Sequence, residues 1–238
     1  MRKKLPVVTA PTIVIELPIS KIKVKYRPFI IKEQKALLLA QESRDKDTVI
    51  ETIKSVILSC SDGTFDFSKV PTADLAYFFI QLRIASVGPD VRFQIQCTSC
   101  SEQNVVGMSL SDVNVSVPDN FSNRIAITPT VGIVFRIPTI DDAFDATRFS
   151  DRSIGILYNL IDSIYDEDSV YQKSDYSEQE FIDWIETFND KQLLEINNFV
   201  KSIPKLSHTL TFNCTHCGHE QSRILEGLQN FFRFGINT

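Results

Sequence analysis

Four of the five cysteines in this chain occur as two matching C-x-x-C pairs. Each pair lies between a stretch of alternating apolar residues and a polar return, an arrangement we call a knuckle. The knuckles span 93–104 and 210–221, and their cysteines are Cys97, Cys100, Cys214 and Cys217. Together they supply four thiolates, the ligand set of a closed tetrahedral Zn²⁺ site. A single C-x-x-C would be weak, but two copies in one strand–turn–strand pattern predict that these cysteines bind zinc.

The predicted zinc site is structural because four cysteines fill the coordination shell. No position is then open for water or a substrate, so such a site stabilises the fold and does not catalyse. The knuckles are separated by more than 100 residues. The intervening chain must therefore fold back so that its two ends meet.

The cysteines and the nearby histidines allow other interpretations besides a four-cysteine zinc site. A thioredoxin-like dithiol would be expected near a βαβ pattern with the C-x-x-C at a helix start, and neither pair shows that pattern. Disulfides are disfavoured because no signal peptide is apparent. His216 or His219 could replace a thiolate in a mixed site, whereas His208 lies too far upstream. Cys60, on an apolar helix face, is expected to be a small buried side chain.

Composition and charge favour a protein-binding role over a nucleic-acid-binding one. The chain has 238 residues with 43% hydrophobic content, and it has no apolar run long enough for a membrane span, so we expect it to be soluble and cytoplasmic. Its net charge is −5, whereas binding a phosphate backbone requires a concentrated basic face. The lysines of 21–25 alternate with apolar residues, which is typical of the solvated face of a strand.

The elements that must position the knuckles follow from periodicity and caps. The sequence predicts a hairpin (13–17 with 22–26), helices at 32–42, 48–60 and 72–88, and two strands within 125–137. Further helices are predicted around Phe144 and at 154–164, 181–188, 193–200 and 224–234, with an acidic surface loop at 165–176.

These elements predict one α+β unit over 1–238. Two mainly helical lobes would be joined by a β element whose two C-x-x-C knuckles form a zinc-ribbon-like site. The predicted parts are the hairpin and helices of 10–90, knuckles within 91–110 and 207–222, a helical insertion at 139–203, and a C-terminal helix at 223–235.

No arrangement of residues typical of catalysis is found. The sequence has no P-loop, GxGxxG, HExxH or GxSxG motif. All three histidines fall within 208–219, which leaves no imidazole base elsewhere. The acidic runs 141–142 and 166–168 are more typical of a helix N-terminus and a solvated loop than of a catalytic pair. We therefore expect no enzyme activity and no small-molecule substrate.

Several segments together resemble a known family. They are Tyr26–Ala40, Tyr77–Gly88, the two knuckles and Phe181–Phe188. In this order they resemble the baseplate hub and hub-assembly proteins of T-even-like contractile-tailed bacteriophages, from about residue 10 to the C-terminus. The resemblance implies a structural or morphogenetic role, other phage tail proteins as partners, and no catalytic residues. Both a hub subunit that stays in the virion and an assembly factor that leaves fit this resemblance.

Two surfaces are candidates for partner contacts. One is the predicted C-terminal helix with Phe231, Phe232 and Phe234, although such residues also fit ordinary core. The other is the acidic loop at 165–176. A zinc-ribbon nucleic-acid-binding regulator and a dithiol oxidoreductase remain the alternative functions.

Overall fold

A computed structural model of the chain describes residues 8, 10–43, 45–63, 65–119, 121–145, 152–227 and 231. The fold is mixed α+β, as the sequence predicts. The strands are β1 (Ile13–Glu16), β2 (Lys23–Tyr26), β3 (Asp90–Gln96), β4 (Gln103–Ser109), β5 (Asn114–Ser116), β6 (Arg124–Ala126), β7 (Gly132–Phe135), β8 (Ile161–Tyr165), β9 (Val170–Gln172), β10 (Lys205–Asn213) and β11 (Glu220–Glu226). The helices are α1 (Ile31–Ser43), α2 (Lys46–Cys60), α3 (Thr72–Val87), α4 (Ile140–Asp145), α5 (Arg152–Leu160), α6 (Glu178–Ile185) and α7 (Asp190–Ser202).

The chain divides into two compact units. The first unit comprises residues up to Asp66, Ala76–Val115 and the residues from Leu206 onward, and the second comprises Phe67–Leu75 and Ser116–Lys205. Both units combine helices with β-sheet. The division into lobes at the boundaries expected from the sequence stays a prediction.

The first unit contains both knuckles. Strands β3 and β4 form one antiparallel hairpin, and β11, β10 and β5 form a three-stranded sheet in that order. Along β3, the buried residues Val91, Phe93 and Ile95 alternate with exposed ones. Their inward faces join a core made of Ala76, Ile80, Val91, Phe93, Ile95, Leu110, Val113, Leu206, Leu210, Leu225 and Phe231. Period-two alternation is what a strand with one buried face requires, and the sequence shows it.

Helix boundaries in the first unit follow the caps, with one correction. Helices α1 and α3 are confirmed, and α3 ends before Gly88, whose φ of 113° suits glycine. The sequence predicts Thr48 as the N-cap of α2, but this is wrong, because the N-cap is Asp45. The Asp45 carboxylate accepts the Thr48 N–H at 3.0 Å, which starts the helix at Lys46.

The second unit is built on one antiparallel sheet in the order β6-β7-β8-β9, with α4 to α7. Its buried core contains Ile133, Phe135, Leu160, Ile161, Phe181, Ile185, Ile196, Phe199 and Ile203. The two strands predicted within 125–137 are confirmed as β6 and β7.

The predicted helix at 154–164 is wrong beyond Leu160. Residues from Ile161 to Tyr165 form β8, which pairs with β7 and β9. Ile161 and Ser163 are buried while Asp162 between them is exposed. Burial therefore alternates with period two along this segment, as in a strand and not as in a helix. The predicted helical insertion at 139–203 therefore includes strands, and β9 with a 3-10 turn at 173–175 orders much of the acidic loop.

The sequence has capping-box spacing at Thr139 with Asp142 and at Ser177 with Glu180. The structure confirms the full box at the second pair and shows the carboxylate contact of the box at the first. The Thr139 N–H donates to Asp142 Oδ2 at 2.6 Å before α4. Ser177 and Glu180 cap α6 reciprocally, since each side chain accepts the backbone N–H of the other residue.

The predicted C-terminal helix is only partly tested. Ile224 to Glu226 belong to β11 and not to a helix, because buried Leu225 between two exposed neighbours follows strand periodicity. Phe231 is helical and buried in the core of the first unit, which favours core over contact surface for this residue. Phe232 and Phe234 lie outside the described residues.

A partly buried ion pair joins the end of β2 to α1, and a further hydrogen bond connects it to α2. Arg27 donates to both carboxylate oxygens of Glu33, at 2.7 and 3.0 Å. Glu33 also accepts the Ser59 hydroxyl at 2.6 Å and the Ile30 N–H at 2.8 Å. Burial alone raises the pKa of Glu33, but these hydrogen bonds outweigh it and lower the pKa to about 2.

Replacing Glu33 with glutamine is expected to destabilise the protein by about 1–3 kcal/mol at pH 7, because charged hydrogen bonds to Arg27 are lost. A lowered folded-state pKa means that the carboxylate stabilises the fold above about pH 4.5 and loses that effect as the pH falls toward 2. Urea unfolding at pH 7 and pH 3 should show the difference between wild type and variant shrinking with acid. Glu42→Gln, on the exposed face of the same helix, is the control. An equal effect at both pH values would contradict the assignment.

None of the described helices is both long and apolar enough to cross a membrane.

Candidate metal centre

The β3–β4 hairpin places the first cysteine pair at its tip. The last strand pair is Gln96 with Gln103, and Cys97 follows directly. The Cys97 N–H donates to the Glu102 carbonyl at 2.8 Å, and the Ser101 N–H donates to the Cys97 carbonyl at 3.0 Å. Ser101 takes a positive φ of 63° to close this turn.

The β10–β11 hairpin repeats the same turn for the second pair. The Cys214 N–H donates to the His219 carbonyl at 2.9 Å, and the Gly218 N–H donates to the Cys214 carbonyl at 2.9 Å. Gly218 has a φ of 72° at the position that Ser101 occupies in the first knuckle. Glycine adopts this conformation without a steric penalty. The repeat in sequence is thus a repeat in backbone geometry.

The two hairpin tips bring all four predicted cysteine sulfurs together. The Sγ atoms of Cys97, Cys100, Cys214 and Cys217 all lie within 4.8 Å of one another. Two distances across the hairpins are 3.8 Å, between Cys97 and Cys217, and 3.6 Å, between Cys100 and Cys214. A metal with 2.3 Å bonds to four tetrahedral sulfurs would place those sulfurs about 3.8 Å apart. The thiols are therefore spaced for a tetrahedral ion and are well beyond the roughly 2.05 Å of a disulfide bond.

Backbone N–H groups lower the pKa of the first cysteine in each pair. For Cys214 the Cys217 N–H has the largest effect and, although burial opposes it, the pKa falls to about 6. The pKa of Cys97 is lowered chiefly by the Cys100 N–H. The Glu102 N–H lowers the pKa of Cys100, but burial and hydrogen bonds with neighbouring thiols outweigh this effect and raise it to about 12.

Burial differs within each pair, since the first cysteine is more buried than the second. Cys97 and Cys214 are buried, Cys100 is partly buried and Cys217 is exposed. Four thiolates this close repel one another, so complete ionisation requires a cation between them. Among the described residues, these cysteines are the cluster of His, Cys, Asp and Glu ligand atoms that could hold a metal ion.

Sequence reasoning missed two side chains that join the knuckles. The Asn104 Oδ1 accepts the N–H and the hydroxyl of Thr215, at 2.8 and 3.0 Å. The Gln221 Oε1 accepts the same two groups of Thr98, at 3.0 and 3.3 Å. We call these reciprocal contacts the amide clasp. A signal was available, because Asn104 and Gln221 each lie seven residues after the first cysteine of their knuckle.

The other candidate residues do not join this cluster. His216 and His219 are exposed, and His208 Nδ1 lies 3.2 Å from the Asp112 carbonyl oxygen. Cys60 is buried, and burial is the main cause that raises the pKa of its thiol to about 12.

The acidic runs have structural partners. Asp142 caps α4 and forms an ion pair with Arg136. Asp166 closes the β8–β9 turn by accepting the Ser169 N–H at 2.7 Å and the Tyr171 hydroxyl at 2.6 Å. These contacts account for their positions without invoking a catalytic pair.

The position of the cysteines in the fold also bears on redox chemistry. Each C-x-x-C lies in a turn between two antiparallel strands, not at the start of a helix. A thioredoxin-like dithiol uses a helix start, whose N–H groups stabilise the attacking thiolate. The geometry therefore favours metal ligation over dithiol exchange.

Comparison with known proteins gives one family. A family model described as T4 bacteriophage base plate protein matches residues 10–233. Neither the curated proteins nor the solved structures compared with the chain give a match. The match covers nearly the whole sequence, including both knuckles, and agrees with the resemblance noted from the sequence. The chain therefore belongs to the T4 bacteriophage base plate protein family.

Proposed function

We propose that this chain is a structural or morphogenetic component of the phage tail baseplate hub, and that a single Zn²⁺ clamps its two knuckles together. The observation that carries the clamp is the set of four sulfurs within 4.8 Å, contributed equally by two hairpins. Tetrahedral coordination by four thiolates is typical of zinc and of iron–sulfur sites. Zinc fits better because a pair of short knuckles is its usual structural setting.

The clamp acts on the fold of the first unit. Cys97 and Cys100 follow β3, whereas Cys214 and Cys217 follow β10, more than 100 residues later. A bound ion would fix these two hairpins against each other in a zinc-ribbon-like element. With all four positions taken by cysteine, the ion would stabilise structure and would not activate water.

The role that follows is protein–protein contact in the baseplate and not turnover. Membership of the base plate family supports other tail proteins as partners and the virion tail as the location. Mass spectrometry of purified tails distinguishes a hub subunit from an assembly factor. A subunit stays in the virion at fixed stoichiometry, whereas an assembly factor is found only in the host cytoplasm.

Metal analysis tests the clamp directly. Protein purified without added metal or chelator is expected to contain one zinc per chain by mass spectrometry. Because zinc protects four thiols and Cys60 is buried with a raised pKa, the native protein should react slowly with a thiol reagent. Chelator with denaturant should release all five thiols.

Two other outcomes would contradict the clamp. Metal-free protein with the paired cysteines oxidised would favour the dithiol oxidoreductase. Metal-free protein with four rapidly reacting thiols would show that the cysteines lie together without binding an ion.

A further inference from the structure

The amide clasp links the hairpins independently of the sulfurs. Each C-x-x-C turn is held by a side chain from the opposite hairpin, Asn104 on Thr215 and Gln221 on Thr98. Asn104 and Gln221 are 2% and 6% exposed, so both amides are buried although the threonines they hold are exposed. Buried amides of this kind are kept only when their groups find partners.

The orientation of both carboxamides is fixed by their partners. A backbone N–H can only donate, so the atom that meets it must be the amide oxygen. The amide nitrogens are then left as donors. In Asn104 this nitrogen donates to Cys214 Sγ at 3.5 Å and to the Glu102 carbonyl at 3.2 Å. In Gln221 the nitrogen is buried and, among the described residues, has no hydrogen-bond partner.

The repeat between the knuckles indicates which atom accepts a hydrogen bond from the Gln221 amide nitrogen. Asn104 holds the turn of the second knuckle and donates to the first cysteine of that knuckle. Gln221 holds the turn of the first knuckle, where the equivalent cysteine is Cys97. A thiolate bound to a metal is a stronger acceptor than a thiol, because its charge strengthens the hydrogen bond.

We propose that Asn104 and Gln221 are positioning residues of the metal centre, each setting the opposite knuckle's turn and donating an amide N–H to the thiolate of Cys214 or Cys97. This inference rests on the proposed metal clamp. It gives the otherwise unpartnered amide nitrogen of Gln221 an acceptor in the metal-bound state. It also explains why carboxamides occupy both positions, since a carboxylate would hold the turn but repel the thiolates.

The matched variants are Asn104→Asp and Gln221→Glu, which keep an oxygen for the threonine groups and remove the N–H donor. Gln103→Glu makes the same change of charge at the exposed neighbour of Asn104 on β4 and is the control. Zinc affinity is measured by competition with a chromophoric chelator. We expect each of the two variants to bind zinc about 10–100-fold more weakly than the control. Cobalt-substituted protein should keep its sulfur-to-cobalt charge-transfer absorption, because all four thiolates remain ligands.

The inference is wrong if both variants bind zinc as tightly as Gln103→Glu. The clamp itself would still stand in that case, whereas wild-type protein that binds neither zinc nor cobalt would overturn the clamp. A second measurement uses the wild-type protein, so it tests the inference even if the variants fail to fold. In ¹¹³Cd-substituted protein, the side-chain N–H groups of Asn104 and Gln221 should show scalar coupling to cadmium across the N–H···S bonds. Absence of coupling at both amides would also refute the proposal.

Discussion

Replacing Cys214 with serine is expected to unfold the two knuckle hairpins of the first unit, β3–β4 and β10–β11. Structural zinc contributes roughly 10–16 kcal/mol of apparent folding free energy in zinc-finger peptides. Whole domains are commonly stable by only about 5–15 kcal/mol. Cys214 is buried, its Sγ lies 3.6 Å from the Sγ of Cys100, and it accepts the Asn104 amide N–H. The substitution removes a thiolate ligand. The Asn104 amide N–H would then face a serine hydroxyl, which binds zinc poorly.

The measurement is denaturant unfolding followed by circular dichroism, with zinc content determined on the same sample. Cys97→Ser should behave alike, and a strong chelator should reproduce the effect on wild type. Cys60→Ser is the matched control, because it changes a buried cysteine outside the cluster. We expect that control to keep one zinc and nearly wild-type stability. Full stability of both knuckle variants would refute a structural role for the metal.

Replacing Phe135 with alanine is expected to destabilise the second unit by about 3–5 kcal/mol without loss of metal. Phe135 is fully buried on β7, and its ring stacks on Phe199 with centroids 4.4 Å apart. The cavity left by the ring would lie in the core that Phe135 shares with Phe199 and Ile196. The four cysteines belong to the first unit, so zinc binding should not change.

The single tryptophan makes this prediction measurable. Trp184 packs against the core of the second unit, so its fluorescence reports unfolding there, while zinc release reports the first unit. Phe121→Ala is the control, because that ring is only partly buried and lies 6.1 Å from Phe199. We expect Phe135→Ala to unfold at lower denaturant than Phe121→Ala by fluorescence. Equal midpoints for the two variants would show that Phe135 is not central to this core.

The metal centre could be predicted from the sequence to the extent that its chemistry is local. The ligand spacing within each pair and the alternation around it are set by one turn and two strands, and both are visible in the residues. The amide clasp was not predicted, because Asn104 and Thr215 are joined only after more than 100 intervening residues have folded. The equal spacing of Asn104 and Gln221 from their cysteines marks the two residues as equivalent, but it does not show which residues they contact.

The fold shows the same limit. Helix starts with a capping box, such as Ser177 with Glu180, could be placed because the cap is a contact across three residues. The end of the helix predicted at 154–164 could not be placed, because the apolar residues from Ile161 onward can continue a helix or form a buried strand. Pairing with β7 makes β8 a strand and not a helix. Such pairing depends on the whole sheet and not on the segment alone.

The order of the segments along the chain also determines when each unit can fold during translation. The first unit resumes at Leu206 only after residues 116–205 of the second have been made. At the usual rates of translation, roughly 5–20 s separate the appearance of Cys100 from that of Cys214. Throughout that interval the nascent chain displays two thiols whose partners do not yet exist, and β3–β4 lacks the hairpin that covers it. The second unit can fold as soon as Lys205 has left the ribosome, whereas the first must wait until Leu206 and the residues after it have been translated.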